Sequence, residues 1–372
     1  MKSAHGLVIG KFYPPHAGHH LLVRTAASQC DRVTVVVMAA SHESIGLDMR
    51  VGWMREIHAI DANVTVTGII DDVPVDYDDP TIWDQHVALM KAALAAISAP
   101  PVTAVFTSEN YGDELARRFG ARAVTLDTAR LLAPVSATRV RADVPGYWTY
   151  LDPVVRGALA LRVVVLGAES TGTTTLSLDL AQHIRKWGGA HGLTRWVPEY
   201  GRQYSIDKMA AATAAAQLQG LPRVAFEDVQ WRSPEFVHIA RQQRSMEDAE
   251  ARLGGPVLVC DTDAFATHTW HERYLGVADP AVDAACGARG DLYLLTHPDG
   301  VPFEQDGIRD GEQLRTWMTQ RFTERLQAMD QRGVATVPHV VLTGDRQQRL
   351  DTALQAVRLL LKKAWQFARP LG

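Results

Sequence analysis

The sequence predicts two consecutive doubly wound α/β domains, each built on a parallel sheet. Three observations carry that expectation. Short runs rich in Val and Ile alternate with segments of helical periodicity. The runs are apolar on both faces, as strands covered by helices on both sides must be. The alternation then starts afresh after residue 160. In the first half LVIGKFY (7–13), RVTVVVMAA (32–40), NVTVTGII (63–70), TAVFTSE (103–109) and ARAVTLD (121–127) read as strands. HHLLVRTAASQC (19–30), MRVGWMREIHAI (49–60), IWDQHVALMKAALAAI (82–97) and YGDELARRFG (111–120) read as the helices between them. In the second half the strands are RVVVLG (162–167), RWVPEY (195–200), PVLVCDT (256–262), DLYLLTH (291–297) and HVVLTG (339–344). Long helical stretches separate them, the Ala-rich MAAATAAAQLQ (209–219) included. PGYWTYLDPVVRGA (145–158) breaks the pattern with Pro145, Gly146 and Pro153, and its aromatic residues mark it as a packed connector. The expected domains are therefore 1–150 and 160–372, joined by a connector at 145–159.

Composition excludes several classes. A chain of 372 residues can bury a core in each half without disulfides or structural metal. Hydrophobic residues at 47% and charged residues at 22% are ordinary for a soluble globular protein. Lys+Arg 38 against Asp+Glu 42 leaves a net charge of −4, which argues against a broad surface for coating nucleic acid. Cys30, Cys260 and Cys286 form no CxxC pair, so neither a disulfide framework nor a zinc ribbon is expected, and a cytoplasmic setting is. No apolar run approaches the roughly 18 residues of a membrane span, so no membrane insertion is expected. Asp71, Asp72, Asp76, Asp78 and Asp79 read as a solvated acidic loop, because their spacing matches no EF-hand.

Two constellations carry chemistry. In the first, GKFYPPHAGHH (10–20) follows the first strand and opens a helix. Gly10 allows a tight turn and the two prolines end the strand. His16 and His19, three apart at a helix start, can face one ligand. The helix N-terminus offers N–H groups to phosphate, and Lys11 adds positive charge. After the last strand of this half, PVSATRVRAD (134–143) supplies Ser136, Thr138, Arg139 and Arg141, a set suited to the β- and γ-phosphates of ATP. Trp53 and Trp83 are candidates to stack on a planar ring of the substrate, with core packing as the alternative for either.

His16-Ala17-Gly18-His19 with the Ser/Thr–Arg segment resembles the HxGH nucleotidyltransferase superfamily. PGYWTYL and TSENYGDELA (107–116) resemble the nicotinamide-mononucleotide adenylyltransferase domain of the NadR family over nearly all of 5–150. The resemblance implies attack of the nucleotide's 5′-phosphate on the α-phosphorus of ATP, releasing pyrophosphate and forming NAD. His16 and His19 would stabilise the transferring group. Lys11 and Arg141 would hold the triphosphate, with Gly10, Phe12, Ser136, Thr138 and Arg139 completing the ATP site.

The second constellation, VVVLGAESTGTTTLSLDLA (163–181), reads as strand, Gly-rich loop and helix. Gly167 and Gly172 fit the P-loop template, with Glu169, Ser170, Thr171 and Thr175 around them, and Thr174 offers a hydroxyl to Mg2+. The lysine position is Thr173. The backbone nest survives that change, but a charge near the β/γ-phosphates is lost. PEYGRQY (198–204), DTDAFAT (261–267), DGIRDG (306–311) and TGDRQQR (343–349) follow later strands. Together these segments resemble the ribosylnicotinamide kinase domain of the NadR family over about 160–365. That resemblance implies Glu199 or Asp261 as base for the ribose 5′-hydroxyl, Thr174 and Asp261 as Mg2+ holders, and Asp263 at the substrate. Arg202 and Arg309 would replace the lysine. HTWH (268–271) lacks the Glu of a zinc motif and carries no metal expectation.

The joint expectation is a bifunctional NAD salvage enzyme. It would use ATP with Mg2+, nicotinamide riboside and nicotinamide mononucleotide. The missing lysine supports a different class for the second half, a nucleotide-sensing module. The HxGH motif alone also admits another phosphate acceptor, such as phosphopantetheine. Some family members carry an N-terminal helix-turn-helix repressor domain; here the first strand starts within ten residues, so no such domain and no DNA binding are expected. The resemblance also implies a functional link to a riboside transporter, and a homo-oligomer is left open.

Overall fold

The computed structural model describes residues 2–222, 224–305, 311–331 and 338–371. The chain divides into two compact units. One is Met1–Arg156 with Trp365–Gly372, and the other is Gly157–Ala364. The expected second domain ran through to 372, whereas from Trp365 onward the chain packs in the first unit. There the ring of Phe367 meets that of Tyr13 edge-on at 5.8 Å.

The first unit alternates β1 (Ser3–Gly10), α1 (Ala17–Gln29), β2 (Cys30–Ala39), α2 (Leu47–Ile57), β3 (Val64–Ile70), α3 (Pro80–Ala96), β4 (Ala104–Thr107), α4 (Gly112–Phe119), β5 (Arg122–Thr125) and α5 (Ala137–Ala142). Its sheet has the order β3-β2-β1-β4-β5, and the neighbours pair in parallel. Consecutive strand residues serve opposite layers. Val8, Val35 and Val37 pack with Val23 and Met54, while Leu7 and Val36 pack with Val87, Met90 and Leu115. β1 stops at Gly10 rather than running to Tyr13. Phe12 turns the chain with φ of 46°, and Pro14 and Pro15 offer no N–H to a neighbouring strand. Trp148 of the expected connector is fully buried. α6 (Pro153–Leu159) contains the boundary between the units.

The second unit contains β6 (Leu161–Gly167), α7 (Thr173–Arg185), β7 (Arg195–Val197), α8 (Tyr200–Leu218), α9 (Ser233–Leu253), β8 (Val257–Asp261), α10 (Thr267–Leu275), α11 (Pro280–Ala285), β9 (Leu292–Thr296), α12 (Arg315–Gln331), β10 (His339–Leu342) and α13 (Arg346–Lys363). Its parallel sheet has the order β10-β9-β6-β8-β7. In each sheet the unit's first strand lies centrally, between partners reached in opposite directions. The crevice beyond the carboxyl end of that strand is where such folds bind ligands. Among the described residues no helix is long and apolar enough to cross a membrane.

α9 also buries an acid. Glu247 is 1% exposed, and burial with the nearby Asp263 raises its carboxyl well above the carboxylate range. Asp263, itself raised by burial, accepts from the Tyr293 hydroxyl at 2.6 Å. An acid raised in the native state holds a proton that the unfolded chain releases, so stability falls as pH climbs from the ordinary Glu range towards the native value. Glu247→Gln, which stays neutral, should therefore raise the melting temperature by about 3 °C or more at pH 8 and little at pH 5. Thermal melts at the two pH values check this; equal shifts would contradict it.

Candidate active sites

The first site lies past the carboxyl end of β1. His16 is the N-cap of α1, and HAGH closes a reciprocal capping box. The Gly18 N–H donates to His16 Nδ1 at 3.2 Å, and the His16 N–H donates to His19 Nδ1 at 3.3 Å. With Nδ1 of both rings accepting, each neutral imidazole carries its proton on Nε2. The rings stack with centroids 3.7 Å apart. Gly18 leaves room for the ring, since a Cβ there would sit 3.2 Å from His16 Cε1 and press on it. Burial, then the charges of His20 and Arg130, push His16 down to about 3. Burial also holds His19 well below the ordinary histidine range. Both rings are thus neutral hydrogen-bond donors at pH 7.

These histidines line a cleft of about 150 Å³ with Glu109, Arg130, Ser136 and Thr138. Ser136 caps α5, accepting from the Arg139 N–H at 3.2 Å, and Arg139 is exposed. The cleft therefore brings together the two motifs that lie more than a hundred residues apart in the chain. Arg141 and Lys11 are anchored beside Tyr13 instead. Arg141 Nη1 donates to the Tyr13 carbonyl at 2.6 Å, and Arg50 donates to the Lys11 carbonyl at 3.0 Å. Arg50 itself is fully buried and paired with Glu43 at 2.7 Å. The Phe12 ring folds over Gly10 and meets His19 at 4.9 Å.

Trp53 and Trp83 are buried and do not line the cleft. Trp83 belongs to the α3 core, donating its indole N–H to the Tyr77 carbonyl at 2.9 Å under the Arg118 guanidinium. Sequence reasoning missed Arg130, which lines the cleft and is held by Glu109 at 2.7 Å. Its position between the last strand and the Ser/Thr–Arg segment was the available signal.

The second site wraps the carboxyl end of β6. Ser170 and Gly172 take left-handed conformations, φ 56° and 85°, and Gly172 caps α7. A Cβ on Gly167 would lie 2.1 Å from Thr296 Oγ1. Thr171 is tied to that same hydroxyl at 2.7 Å, so the loop can close only around glycine. Thr174 Oγ1 donates to Asp261 Oδ2 at 2.6 Å. Burial raises Asp261 to about 6, against the Thr174 and Thr173 hydroxyls and the Arg202 charge, which lower it. The hydroxyl–carboxylate pair offers hard oxygen donors of the kind Mg2+ takes. Thr175 is exposed on the first turn of α7.

Two arginines grip the loop from behind. Arg349, 5% exposed, donates to the carbonyls of Thr171, His297 and Gly344 at 3.0, 2.8 and 2.8 Å. Arg315 donates to the carbonyls of Ser170 and Val301, each at 3.0 Å. Guanidinium groups on the loop's carbonyls leave its N–H groups for an anion. Glu169 turns aside, paired with Arg273 at 3.0 Å.

The pocket in front is lined by Thr173, Thr174, Glu199, Arg202 and Asp263 and ends in aromatic rings. Trp231 and Tyr274 stack there at 5.1 Å, with Lys208 over Trp231 at 4.3 Å. Sequence reasoning missed this aromatic end, because its rings come from scattered segments with no shared spacing. Arg309 lies outside the described residues. His268 and His271 of HTWH bond to Asp283 and Ser233, at 2.8 and 2.9 Å.

Comparison with known proteins agrees with this architecture. Residues 162–349 match the family described as AAA domain. The trifunctional NAD biosynthesis/regulator protein NadR of Salmonella typhimurium is 25% identical over 317 residues, 82% of this chain and 71% of that protein. The protein of the same name from Escherichia coli is 24% identical over 321 residues, covering 83% and 72%. A solved NadR structure in complex with NR superposes with a TM-score of 0.71 at 21% identity, covering 96% of both chains. Another, in complex with NAD and AMP-PNP, gives 0.68 at 21% identity, covering 97% and 96%. The chain belongs to the AAA-domain family through its second unit, and along most of its length it is a homologue of NadR.

Proposed function

We propose that the chain makes NAD in two ATP-dependent steps: 5′-phosphorylation of nicotinamide riboside at the P-loop site, and adenylyl transfer to the resulting mononucleotide at the HAGH site. The reading is supported most by the single cleft that gathers His16, His19, Ser136 and Thr138, two separate phosphate-binding motifs. The relatives' name, NAD biosynthesis protein, supports the substrate class.

At the first site a 5′-phosphate oxygen attacks the α-phosphorus, and the bond to the bridging oxygen breaks as pyrophosphate leaves. Charge spreads over the α-phosphoryl oxygens, and the Nε2–H donors of His16 and His19 meet it from fixed positions. Lys11, Arg139 and Arg141 hold the triphosphate. At the second site the ribose 5′-oxygen attacks the γ-phosphorus and ADP leaves. Glu199, which lines the pocket, takes the hydroxyl proton. Mg2+ bound with ATP would neutralise the β- and γ-phosphates, held by Thr174 and Asp261. Arg202 supplies the charge that Thr173 does not. The aromatic end receives the nicotinamide ring, a pyridinium cation suited to aromatic faces.

Riboside phosphorylation should carry an acid limb set by Asp261. Asp261 must be ionised to hold the cation, and burial lifts it to about 6. Riboside phosphorylation should thus lose about tenfold in kcat/KM per pH unit below that value. In NAD formation from the mononucleotide the histidines add no such limb, since burial pushes His16 down to about 3, and a fall near 6 there follows the substrate's own 5′-phosphate, whose second ionisation lies at about that value. Rate profiles of riboside phosphorylation check the Asp261 limb, and a rate unchanged from pH 7 to pH 5 would contradict it. Phosphoryl transfer from labelled ATP to the riboside, abolished in Glu199→Ala, tests the second step. No transfer would favour the nucleotide-sensing reading, which the lysine-to-threonine change at Thr173 supports.

A further inference from the structure

We infer that the C-terminal segment 365–371 is a working part of the adenylyl-transfer site, positioning Lys11 and, through Tyr13, Arg141. The inference rests on the proposed adenylyl transfer at the first unit.

The contacts are numerous and specific. Lys11 Nζ donates to the Leu371 carbonyl. The Tyr13 hydroxyl donates to the Ala368 carbonyl at 3.1 Å while accepting from the Ser44 N–H at 3.0 Å. The Ala368 N–H donates to Ser44 Oγ at 2.7 Å, and His42 bonds to the Arg369 carbonyl at 2.9 Å. Phe367 packs edge-on against the Tyr13 ring. Every one of these partners on the first unit lies between residues 11 and 44, in the turn after β1 and the segment after β2.

Tyr13 is the hub. Arg50 lies 4.2 Å from the centroid of its fully buried ring and Arg141 5.0 Å, and its carbonyl accepts from Arg141. The tail thus pins the ring against which Arg141 is aligned. Lys11 is 35% exposed and lies 3.9 Å from the buried Glu43 carboxylate, which alone would draw it inward. An ammonium has three N–H donors, and one placed on the Leu371 carbonyl leaves others for a phosphate. Holding a flexible lysine stem before ATP arrives removes an ordering cost from binding. Deleting the tail should therefore weaken ATP binding more than it slows chemistry.

The test compares the full chain with one ending at Ala364 in NAD formation from nicotinamide mononucleotide. The expected result is a KM for ATP raised about tenfold, the worth of one charge-assisted contact, with kcat changed much less. A synthetic peptide of residues 365–372 added to the truncated chain should bring KM back down. Lys11 acylation by an amine-reactive ester, followed by mass spectrometry, should be several-fold faster without the tail. Unchanged riboside phosphorylation shows that the second unit is intact. Should the truncated chain not fold, Phe367→Ala carries the same comparison. An unchanged KM with an unchanged Lys11 labelling rate overturns the proposal, as does a fall in kcat alone. A full chain that makes no NAD from the mononucleotide defeats the adenylyl-transfer reading instead, and Lys11 labelling still decides whether the tail holds the lysine.

Discussion

His16→Ala should lower kcat for NAD formation from nicotinamide mononucleotide by about 10²–10³-fold, the effect of removing one preorganised donor from a developing anion. Riboside phosphorylation should not change. Two functions of His16 have to be separated, because the ring is also the N-cap of α1. Loss of a cap alone costs about 1 kcal/mol of stability. Asparagine is a good N-cap without an imidazole, so His16→Asn should keep the melting temperature near that of the parent and still lose the activity. An active His16→Asn protein would reduce the histidine to a helix cap. Steady-state rates and melts of the two variants decide it.

Arg202→Ala should lower riboside phosphorylation by about 10³-fold, in the range seen for cations that stabilise phosphoryl transfer. The argument is by position. Arg273, Arg315 and Arg349 do not line the pocket in front of the loop. Among the described residues that line the pocket, Arg202 is the one cation, and its charge already acts on Asp261. Arg202→Lys should recover part of the rate. A second route to the same end is Thr173→Lys in the Arg202→Ala background, which restores the cation at its usual place in the loop. NAD formation from the mononucleotide serves as the internal control. Full phosphorylation by Arg202→Ala would move the missing charge elsewhere, with Arg309 the next residue to replace.

Both sheets were legible in the sequence because their strands are short and apolar on two faces, and each begins or ends near Gly, Pro or a polar cluster. The limits of β1 were not, since its end is set by the turn at Phe12 rather than by a change in hydrophobicity. The turn of HAGH into its helix and the closure of the Gly-rich loop were legible because local spacing alone makes them, one through a capping box and the other through positive-φ positions. Arg315, Arg349 and the Trp231–Tyr274 pair were not, because they act across more than forty residues of chain on backbone or ring faces. WQFARPLG at the C-terminus carried no motif. Its role emerges only from the hydrogen bonds it makes with Tyr13, His42 and Ser44.

The most direct measurement gives the purified chain ATP and Mg2+ with either nicotinamide riboside or nicotinamide mononucleotide, and follows both the mononucleotide and NAD. NAD from both starting compounds, with the mononucleotide appearing first from the riboside, is the expected result. NAD from the mononucleotide alone would remove the kinase step and leave the lysine-free loop as a sensor. No NAD from either would contradict the account at its first site.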